Sequence, residues 1–301
     1  MNQIPRISRI GGTRDQLGES PVWDERTQSL YWIDSLAGVI HKLSPASGVT
    51  EEFQVPAPIG SLGLTQGGGA VLALRHGFAQ FDFSTHQLTM GPSIDVDHPM
   101  VRLNDGKVDP FGRFVAGTLH GGRAENERPL GGLYRIDSSG AIELIEDDLA
   151  LTNGPCFSPD GRTFYLADSA RRVTWAYDYR DNGPLVNKRI FVNTDALGSG
   201  ADGATVDADG YVWTVLVRIG AIARFAPDGT LDRTIEMPVR HPTSVAFGGP
   251  SLNILYVTSI SRSTHLSDES PDAGGLFAVE NLGVKGLPAQ RFGSRQADTG
   301  V

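Results

Sequence analysis

The sequence is poor in features that mark several classes of protein. It has one cysteine, Cys156, so no disulfide bond can form within the chain. Its formal net charge is −9, and no basic run offsets it, which argues against nucleic acid or an anionic membrane as a general partner. No apolar run approaches the roughly 20 residues of a membrane-spanning helix. We therefore expect a soluble, cytoplasmic protein that binds neither membrane nor nucleic acid.

Two common catalytic motifs are also missing. No glycine-rich phosphate loop precedes a helix, and no Gly-x-Ser-x-Gly sequence is present, so a serine-nucleophile hydrolase is not supported. Cys156 has no catalytic motif around it and is expected to be a packed, small apolar residue. No segment of any length has the apolar period of a helix.

The chain is instead rich in glycine and in short apolar runs. Its 37 glycines and many Asp-Gly turns indicate short strands. A unit of four such strands recurs six times along the sequence, at a period of about 40 to 50 residues. This predicts an all-β, six-bladed β-propeller with four antiparallel strands per blade, formed as a single domain by residues 1–301. Sandwiches and barrels do not require a sixfold return of one unit.

The two ends of the repeat array predict how the ring closes. The sixth repeat is short of an outer strand, and residues 4–10 form a strand-like segment that belongs to no repeat. We predict that this N-terminal strand completes the sixth blade and closes the ring. Closure removes the exposed strand edges that would otherwise promote aggregation.

Four polar residues occupy similar places in four of the repeats. Glu19, Asn104, Asn153 and Asp202 each precede a short strand-like run. In a closed ring, equivalent positions face one axis, so we expect their oxygen atoms to converge at one end of the channel. Such a site suits Ca²⁺, while Mg²⁺ and Mn²⁺ accept the same ligands and Zn²⁺ more usually takes His or Cys. The alternative is that these residues only form turns, which is weakest for Glu19.

The loops at the same end are predicted to carry basic residues. A cleft of one charge sign concentrates ligands of the opposite sign, and arginine suits oxyanions. This predicts a substrate with an additional anionic group, bound by Arg218 with help from Arg75 or Arg172. The alternative is that these arginines pair with local carboxylates. The basic residues of the predicted rim are Arg75, His76, His120, Arg123, Arg171, Arg172, Arg218 and Arg262.

Several motifs resemble the regucalcin–gluconolactonase family of propeller lactonases. They are Leu17-Gly-Glu-Ser-Pro-Val-Trp23, Arg102-Leu-Asn-Asp-Gly-Lys-Val-Asp-Pro110, Thr152-Asn-Gly154 and Ala201-Asp-Gly203. The resemblance spans nearly the whole chain and implies a six-bladed propeller with one divalent metal. It implies that Glu19, Asn153 and Asp202 ligate the metal and that Arg102 and Asn104 hold the sugar. His120 and Arg218 depart from the family pattern, and these departures concern substrate identity.

These observations predict a metal-dependent hydrolase that opens a sugar lactone to the sugar acid. A divalent cation polarises the ester carbonyl and lowers the pKa of a bound water. Asp202 is the expected catalytic residue, as a metal ligand that also accepts the proton of the water. Two alternatives remain at this point, a phosphotriesterase-like hydrolase and a calcium-binding propeller without enzymatic activity. Arg102 and Asn104 favour the enzyme, because neither is needed to hold a metal.

Overall fold

The described part of the chain, residues 4–95, 98–124 and 127–293 of a computed structural model, is built from β-strands and one short 3₁₀ helix, Asp195–Leu197. The strands form six separate four-stranded antiparallel sheets, which are the blades of the predicted propeller. The predicted single domain of residues 1–301 extends beyond the described residues at both ends. Blade 1 contains β2 (Gly18–Asp24), β3 (Ser29–Asp34), β4 (Val39–Ser44) and β5 (Val49–Gln54). Blade 2 contains β6 (Ser61–Leu64), β7 (Ala70–Ala73), β8 (Gly77–Asp82) and β9 (Gln87–Ser93).

The remaining four blades repeat the same order from the innermost strand outward. Blade 3 contains β10 (Val101–Val108), β11 (Phe114–His120), β12 (Gly131–Ile136) and β13 (Ile142–Leu149). Blade 4 contains β14 (Thr152–Phe157), β15 (Thr163–Asp168), β16 (Val173–Asp178) and β17 (Val186–Asn193). Blade 5 contains β18 (Ala201–Val206), β19 (Val212–Leu216), β20 (Ala221–Phe225) and β21 (Leu231–Glu236). Blade 6 contains β22 (Pro242–Gly248), β23 (Ile254–Ser259), β24 (Leu276–Glu280) and β1 (Arg6–Ile10).

The N-terminal strand closes the ring, as predicted. β1 pairs antiparallel with β24 from Arg6↔Glu280 to Ile10↔Leu276, and so supplies the outer strand that blade 6 lacks. The first and last parts of the chain therefore share one sheet. Pairing with β1 satisfies the hydrogen-bonding groups that β24 would otherwise expose along its outer edge.

In blades 1, 3, 4 and 5, an aspartate lies at the turn that joins the innermost strand to the next strand. In blade 5, Asp207 Oδ1 accepts the backbone N–H groups of Asp209 and Tyr211, each at 3.0 Å. Gly210, within this turn, has φ +85°, a conformation that glycine adopts without steric cost. The turn therefore follows from the local sequence Asp-Ala-Asp-Gly. We call the end of the channel where these turns lie the turn end, and the opposite end the mouth.

The core of the propeller is divided among the six interfaces between neighbouring blades. An aromatic pair, with ring centroids 5.8 to 6.4 Å apart, bridges every interface, including the one that joins blade 6 to blade 1. Burial of these rings fixes each blade against the next. The pairs are Phe53–Phe81, Phe78–Phe114, Phe111–Tyr179, Phe191–Phe225, Trp213–Phe247 and Tyr256–Trp23.

A segment after β24 crosses the turn end of the channel, and we call residues 285–293 the strap. Backbone hydrogen bonds join it to blades 5, 6, 2 and 3, and Arg291 forms a buried ion pair with Asp24 of blade 1. Residues 287–290 of the strap line one side of a cavity of about 180 Å³ within the channel. Asp105 and Lys107 also line this cavity. The strap therefore lies across the channel at the end opposite the predicted site.

Candidate functional site

The innermost strands share an irregularity at the mouth of the channel. In five of the six, two residues lie opposite one residue of the neighbouring strand, which is a β-bulge, whereas β6 pairs regularly. A bulge bends the strand and changes the direction of a side chain. The bulged residues are 20–21, 104–105, 154–155, 202–203 and 243–244.

The predicted site residues lie in or directly beside these bulges. They belong to the strands and not to the loops before them. Each of β2, β10, β14 and β18 begins before the apolar run that predicted the strand, and so includes its site residue. Asn104 and Asp202 are the first bulged residues of their strands, and Glu19 and Asn153 directly precede theirs. The bulge interrupts the alternation of apolar side chains, so the first residues of each strand lack the pattern that identifies the rest of it.

Three carboxylates meet at the mouth. Burial, followed by the charges of Asp202 and Asp105, raises the pKa of Glu19 well above its usual value. Burial and the charge of Asp105 likewise raise the pKa of Asp202. Burial raises the pKa of Asp105, against the opposing effects of Lys107 and two backbone N–H groups. A group of like charges held out of water is stable only with a compensating cation or with bound protons.

The residues present fit a hard divalent cation. Glu19 Oε2 is buried and has no hydrogen-bond partner within the described residues. An unpaired buried carboxylate oxygen is costly, and a cation at this position would remove that cost. The described residues contain no group of three or more His, Cys, Asp or Glu side chains placed to share a metal. Glu19, Asp105 and Asp202 interact through their charges without forming such a group, and the predicted ligand set takes its third oxygen from the amide of Asn153.

An amide network links Asn153 to the predicted sugar-binding residues. Asn104 Nδ2 donates to Asn153 Oδ1 and to the carbonyl of Thr152, both at 2.9 Å. Arg102 Nη1 donates to Asn104 Oδ1 at 3.1 Å and to the carbonyl of Leu103 at 2.9 Å. Asn153 Nδ2 donates to Ser169 Oγ at 2.9 Å, so its amide is held from both sides and its Oδ1 faces Asn104. Arg102 keeps Nε and Nη2 for other acceptors.

Asp105 is a site residue that the sequence analysis missed. Its Oδ2 accepts the N–H of Gly154 at 2.8 Å, and its Oδ1 accepts that of Gly106 at 2.8 Å. It thereby links the bulge of blade 3 to that of blade 4, beside Asn153. In the sequence, Asp105 lies between Asn104 and Gly106, and this Asn-Asp-Gly motif reads as an ordinary turn. Only its place on the channel side of a bulge distinguishes it.

The rim arginines fall into two groups. Arg171 pairs with Asp148 at 3.2 Å and with Asp168 at 3.3 Å, and Arg172 pairs with Asp195 at 3.5 Å. Arg75, Arg218 and Arg262 are exposed, and none of their guanidinium groups forms an ion pair with a residue that the structure describes. Local carboxylates therefore occupy the first group, as the alternative interpretation held, and leave the second available.

Arg75 lies beside Arg102. Its carbonyl accepts the N–H of Leu103 at 2.9 Å, and His76 Nε2 contacts the carbonyl of Val101 at 3.0 Å. Burial is the main cause that lowers the pKa of Arg102 to about 10, and the charge of Arg75 lowers it further against the opposing effect of Glu19. Two guanidinium groups thus adjoin one another at the mouth.

His120 occupies a different setting. It is buried at the end of β11 and packs edge-to-face on His98, with ring centroids 5.0 Å apart. Its Nδ1 accepts the N–H of Leu130 at 3.3 Å, and burial lowers its pKa. These contacts hold the loop that follows β11. No contact joins His120 to Glu19, Asn153 or Asp202 in the described part of the chain.

Comparison with known proteins gives a consistent result. The protein-family model of the SMP-30/gluconolactonase/LRE-like region matches residues 17–261 of the chain. A 6-deoxy-6-sulfogluconolactonase of Pseudomonas putida is 38% identical over 271 residues, 87% of this chain and 90% of that protein. Regucalcin of Gallus gallus is 34% identical over 297 residues, 95% and 98% of the two chains. The structure of a calcium-binding regucalcin from Agrobacterium tumefaciens str. C58 superimposes with a TM-score of 0.84 at 28% identity, covering 93% and 95%.

Proposed function

The chain belongs to the SMP-30/gluconolactonase/LRE-like family, and on that premise we propose that it hydrolyses a sugar lactone with the help of one divalent metal ion. Ca²⁺ is the favoured ion, with Mg²⁺, Mn²⁺ and Zn²⁺ as alternatives. Two relatives support the two parts of the proposal, since one is named as a sugar lactonase and another is described as calcium-binding. Helices long and apolar enough to cross a membrane are absent from the described residues.

The observation that carries the proposal is the convergence of Glu19, Asn153 and Asp202 at bulges of three different blades. Their donor atoms are two carboxylates and an amide oxygen, the set that hard cations prefer. The unpartnered Oε2 of Glu19 supports the same assignment. A purely structural role for these residues would not require a buried carboxylate oxygen without a donor.

The chain's own residues divide the work of lactone opening. When bound, the cation would supply Lewis acidity toward the lactone carbonyl and lower the pKa of a nearby water. Asp202 would accept the proton of that water on its carboxylate. Arg102 offers its free Nε and Nη2 donors to the substrate, and Asn104 fixes the arginine through Oδ1. Asn104 also orients Asn153, so it couples the substrate side of the site to the metal side.

Replacement of Asp202 by asparagine tests the proposed mechanism. Asp202→Asn keeps the shape of the side chain but removes the base, so we expect lactone hydrolysis to fall at least a hundredfold, roughly the lower limit for loss of general-base catalysis. Chelation should abolish activity reversibly. Asp228→Asn, in an exposed turn of the same blade, is the matched control and should retain full activity.

The same assays distinguish the two alternative functions. Metal binding without metal-dependent ring opening would indicate a calcium-binding module. Faster cleavage of an organophosphate ester than of any sugar lactone would indicate the phosphotriesterase-like hydrolase. Full lactonase activity in the metal-free protein would refute the metal assignment.

The second part of the proposal is that the lactone carries an additional anionic group. Arg75, Arg218 and Arg262 are the rim arginines without a carboxylate partner among the described residues, and Arg102 lies next to Arg75. Unpaired guanidinium groups at the mouth of a channel attract an anion. The Pseudomonas putida relative supports this part, because its name describes a sulfonate-bearing sugar lactone.

Substrate charge is tested by measuring kcat/KM for a neutral aldonolactone and for an analogue with a carboxylate or sulfonate. We expect the anionic lactone to be preferred, and Arg218→Ala and Arg75→Ala to reduce this preference by about tenfold, the effect of losing about 1.4 kcal/mol. Arg172→Ala is the control, because Arg172 already pairs with Asp195. Preference for the neutral lactone, unchanged in both variants, would contradict this part of the proposal.

A further inference from the structure

Lys107 lies in the channel beneath the candidate metal site. It is part of β10, three residues after Asn104, and its Nζ donates to the carbonyl of Ala204 at 2.8 Å. Ala204 is two residues from Asp202, so the lysine crosses from blade 3 to blade 5 just below the carboxylates. Its side chain also lines the cavity that the strap bounds at the turn end.

The charges around Lys107 make its position informative. Glu19, Asp105 and Asp202 bring three negative charges to the mouth when ionised, and the Lys107 charge acts directly on Asp105. Lys107 and Arg102 are the basic side chains that act on this carboxylate cluster within the described residues. Lys107 contributes its charge from the channel side of the cluster, away from the mouth.

We propose that Lys107 is an internal counter-cation of the metal site, which holds the carboxylate cluster together when no metal is bound and opposes the metal when it enters. This inference rests on the proposed function, because it assumes that Glu19 and Asp202 ligate the metal. Lys107 is thus a positioning residue. Its charge lowers the electrostatic cost of the metal-free fold and reduces the affinity for the cation by the same interaction.

The proposal predicts the sign of a change in metal affinity. Lys107→Met keeps most of the side-chain volume and removes the charge. A full charge next to buried carboxylates outweighs the single hydrogen bond to Ala204. We therefore expect Ca²⁺ to bind about fivefold more tightly to the variant, as titration calorimetry on protein stripped with a chelator would measure. A lysine that only braced the strands would give weaker binding when removed.

Thermal unfolding provides a second readout. We expect Lys107→Met to lower the Tm of the metal-free protein by about 2–4 °C more than that of the Ca²⁺-loaded protein. Lys285→Met is the matched control, since Lys285 is exposed and its side chain forms no hydrogen bond or ion pair with the site among the described residues. The control should change neither the Ca²⁺ affinity nor the difference in Tm.

A double variant tests the coupling directly. In Lys107→Met/Asp105→Asn, one negative charge leaves together with the positive one, so part of the metal-free stability should return. Unchanged or weaker Ca²⁺ binding by Lys107→Met would overturn the counter-cation proposal. Absence of divalent metal binding by the wild-type protein would instead overturn the proposed function, so the two failures are distinguishable.

Discussion

Glu19 is the residue of the candidate site whose environment is least favourable for a charged side chain. Its carboxylate is buried, one of its oxygens has no partner, and two other carboxylates act on it. Burying a charged group without a partner destabilises a folded protein, so such an arrangement is expected at a functional site rather than in a structural core. Under the proposed function, a bound cation would be the partner of this oxygen.

The unfavourable burial of the Glu19 carboxylate should make the stability of the metal-free protein depend on pH. Burial raises the pKa of Glu19 in the folded metal-free protein, so the folded state keeps a proton that the unfolded chain has already lost. Its contribution to stability is present below the ordinary carboxyl pKa of about 4 and is lost as the pH rises through the raised pKa. We predict that Glu19→Gln stabilises the metal-free protein at pH 8 by about 1 kcal/mol or more, but not at pH 4.

Chemical denaturation in the presence of a chelator measures this difference. Glu236→Gln, at an exposed position in β21 with no ion pair among the described residues, serves as the control and should show little change in its effect between the two pH values. A stability difference between Glu19→Gln and wild type that stays constant from pH 4 to pH 8 would contradict the prediction. With saturating Ca²⁺, the order should reverse, because the glutamine variant loses a charged ligand.

At the scale of the element, the innermost strands combine regular pairing with a bulge that requires small residues. Gly203 is the second bulged residue of β18, and a Cβ atom there would lie 2.0 Å from Ser244 Oγ and 2.6 Å from Ser244 Cα. Gly154, in β14, has φ +55°, and its Cβ would lie 2.6 Å from the carbonyl of Asp202. Blades 4, 5 and 6 therefore approach one another so closely at the mouth that the bulges of β14 and β18 need glycine.

This close approach leads to a prediction for Gly203→Ala. The added methyl group meets backbone as well as side-chain atoms of blade 6, so we expect a loss of about 1–3 kcal/mol of stability. Because Gly203 directly follows Asp202, lactonase activity should fall even in the folded fraction. Gly12→Ala is the control, since nothing lies within 4 Å of a Cβ at that position.

Urea unfolding and activity per folded molecule check both effects of Gly203→Ala. If the variant loses stability but keeps full kcat/KM, the bulge does not position Asp202. If it loses neither stability nor activity, Ser244 of blade 6 can move aside to accommodate the added methyl group.

At the scale of the whole molecule, two segments hold the ring closed from different sides. β1 completes blade 6 at its outer edge, and the strap joins the blades across the turn end of the channel. The strap is anchored by Arg291, which forms a buried ion pair with Asp24 and also donates to the carbonyl of Thr65 at 3.4 Å. Its contacts lie at the end of the channel opposite the candidate site.

Removal of this anchor should affect stability and leave catalysis intact. Arg291→Ala leaves Asp24 buried without its ion-pair partner and with hydrogen bonds from Arg26 and Thr27 alone, so we predict a loss of about 3 kcal/mol in the free energy of unfolding. Arg6→Ala breaks the exposed pair with Glu280 and should cost less than about 1 kcal/mol. Thermal unfolding and kcat/KM at a temperature where both variants are folded are the measurements. Equal effects of the two substitutions on Tm would show that the strap does not clamp the ring.

The repeat pattern of the sequence was sufficient to predict the propeller and the place where its ring closes. The features that predict it are local or periodic, so they can be recognised in the sequence. They are the six repeats of a four-strand unit, the Asp-Gly turns with local hydrogen bonds and the additional N-terminal strand. The same equivalence of repeats identified Glu19, Asn104, Asn153 and Asp202 as residues at one end of the channel, although their roles remain predictions.

Which charges remain unpaired, and which residues support the site, depends on contacts made in the folded molecule. Asp105 and Lys107 reach across the channel to blades 4 and 5, and Arg172 turns to Asp195 while Arg75 meets Arg102. Such contacts join residues that are far apart in the chain or differ only in the direction of a side chain. A bulge changes that direction without changing the apolar pattern, because the extra residue is seen only against the strand with which it pairs.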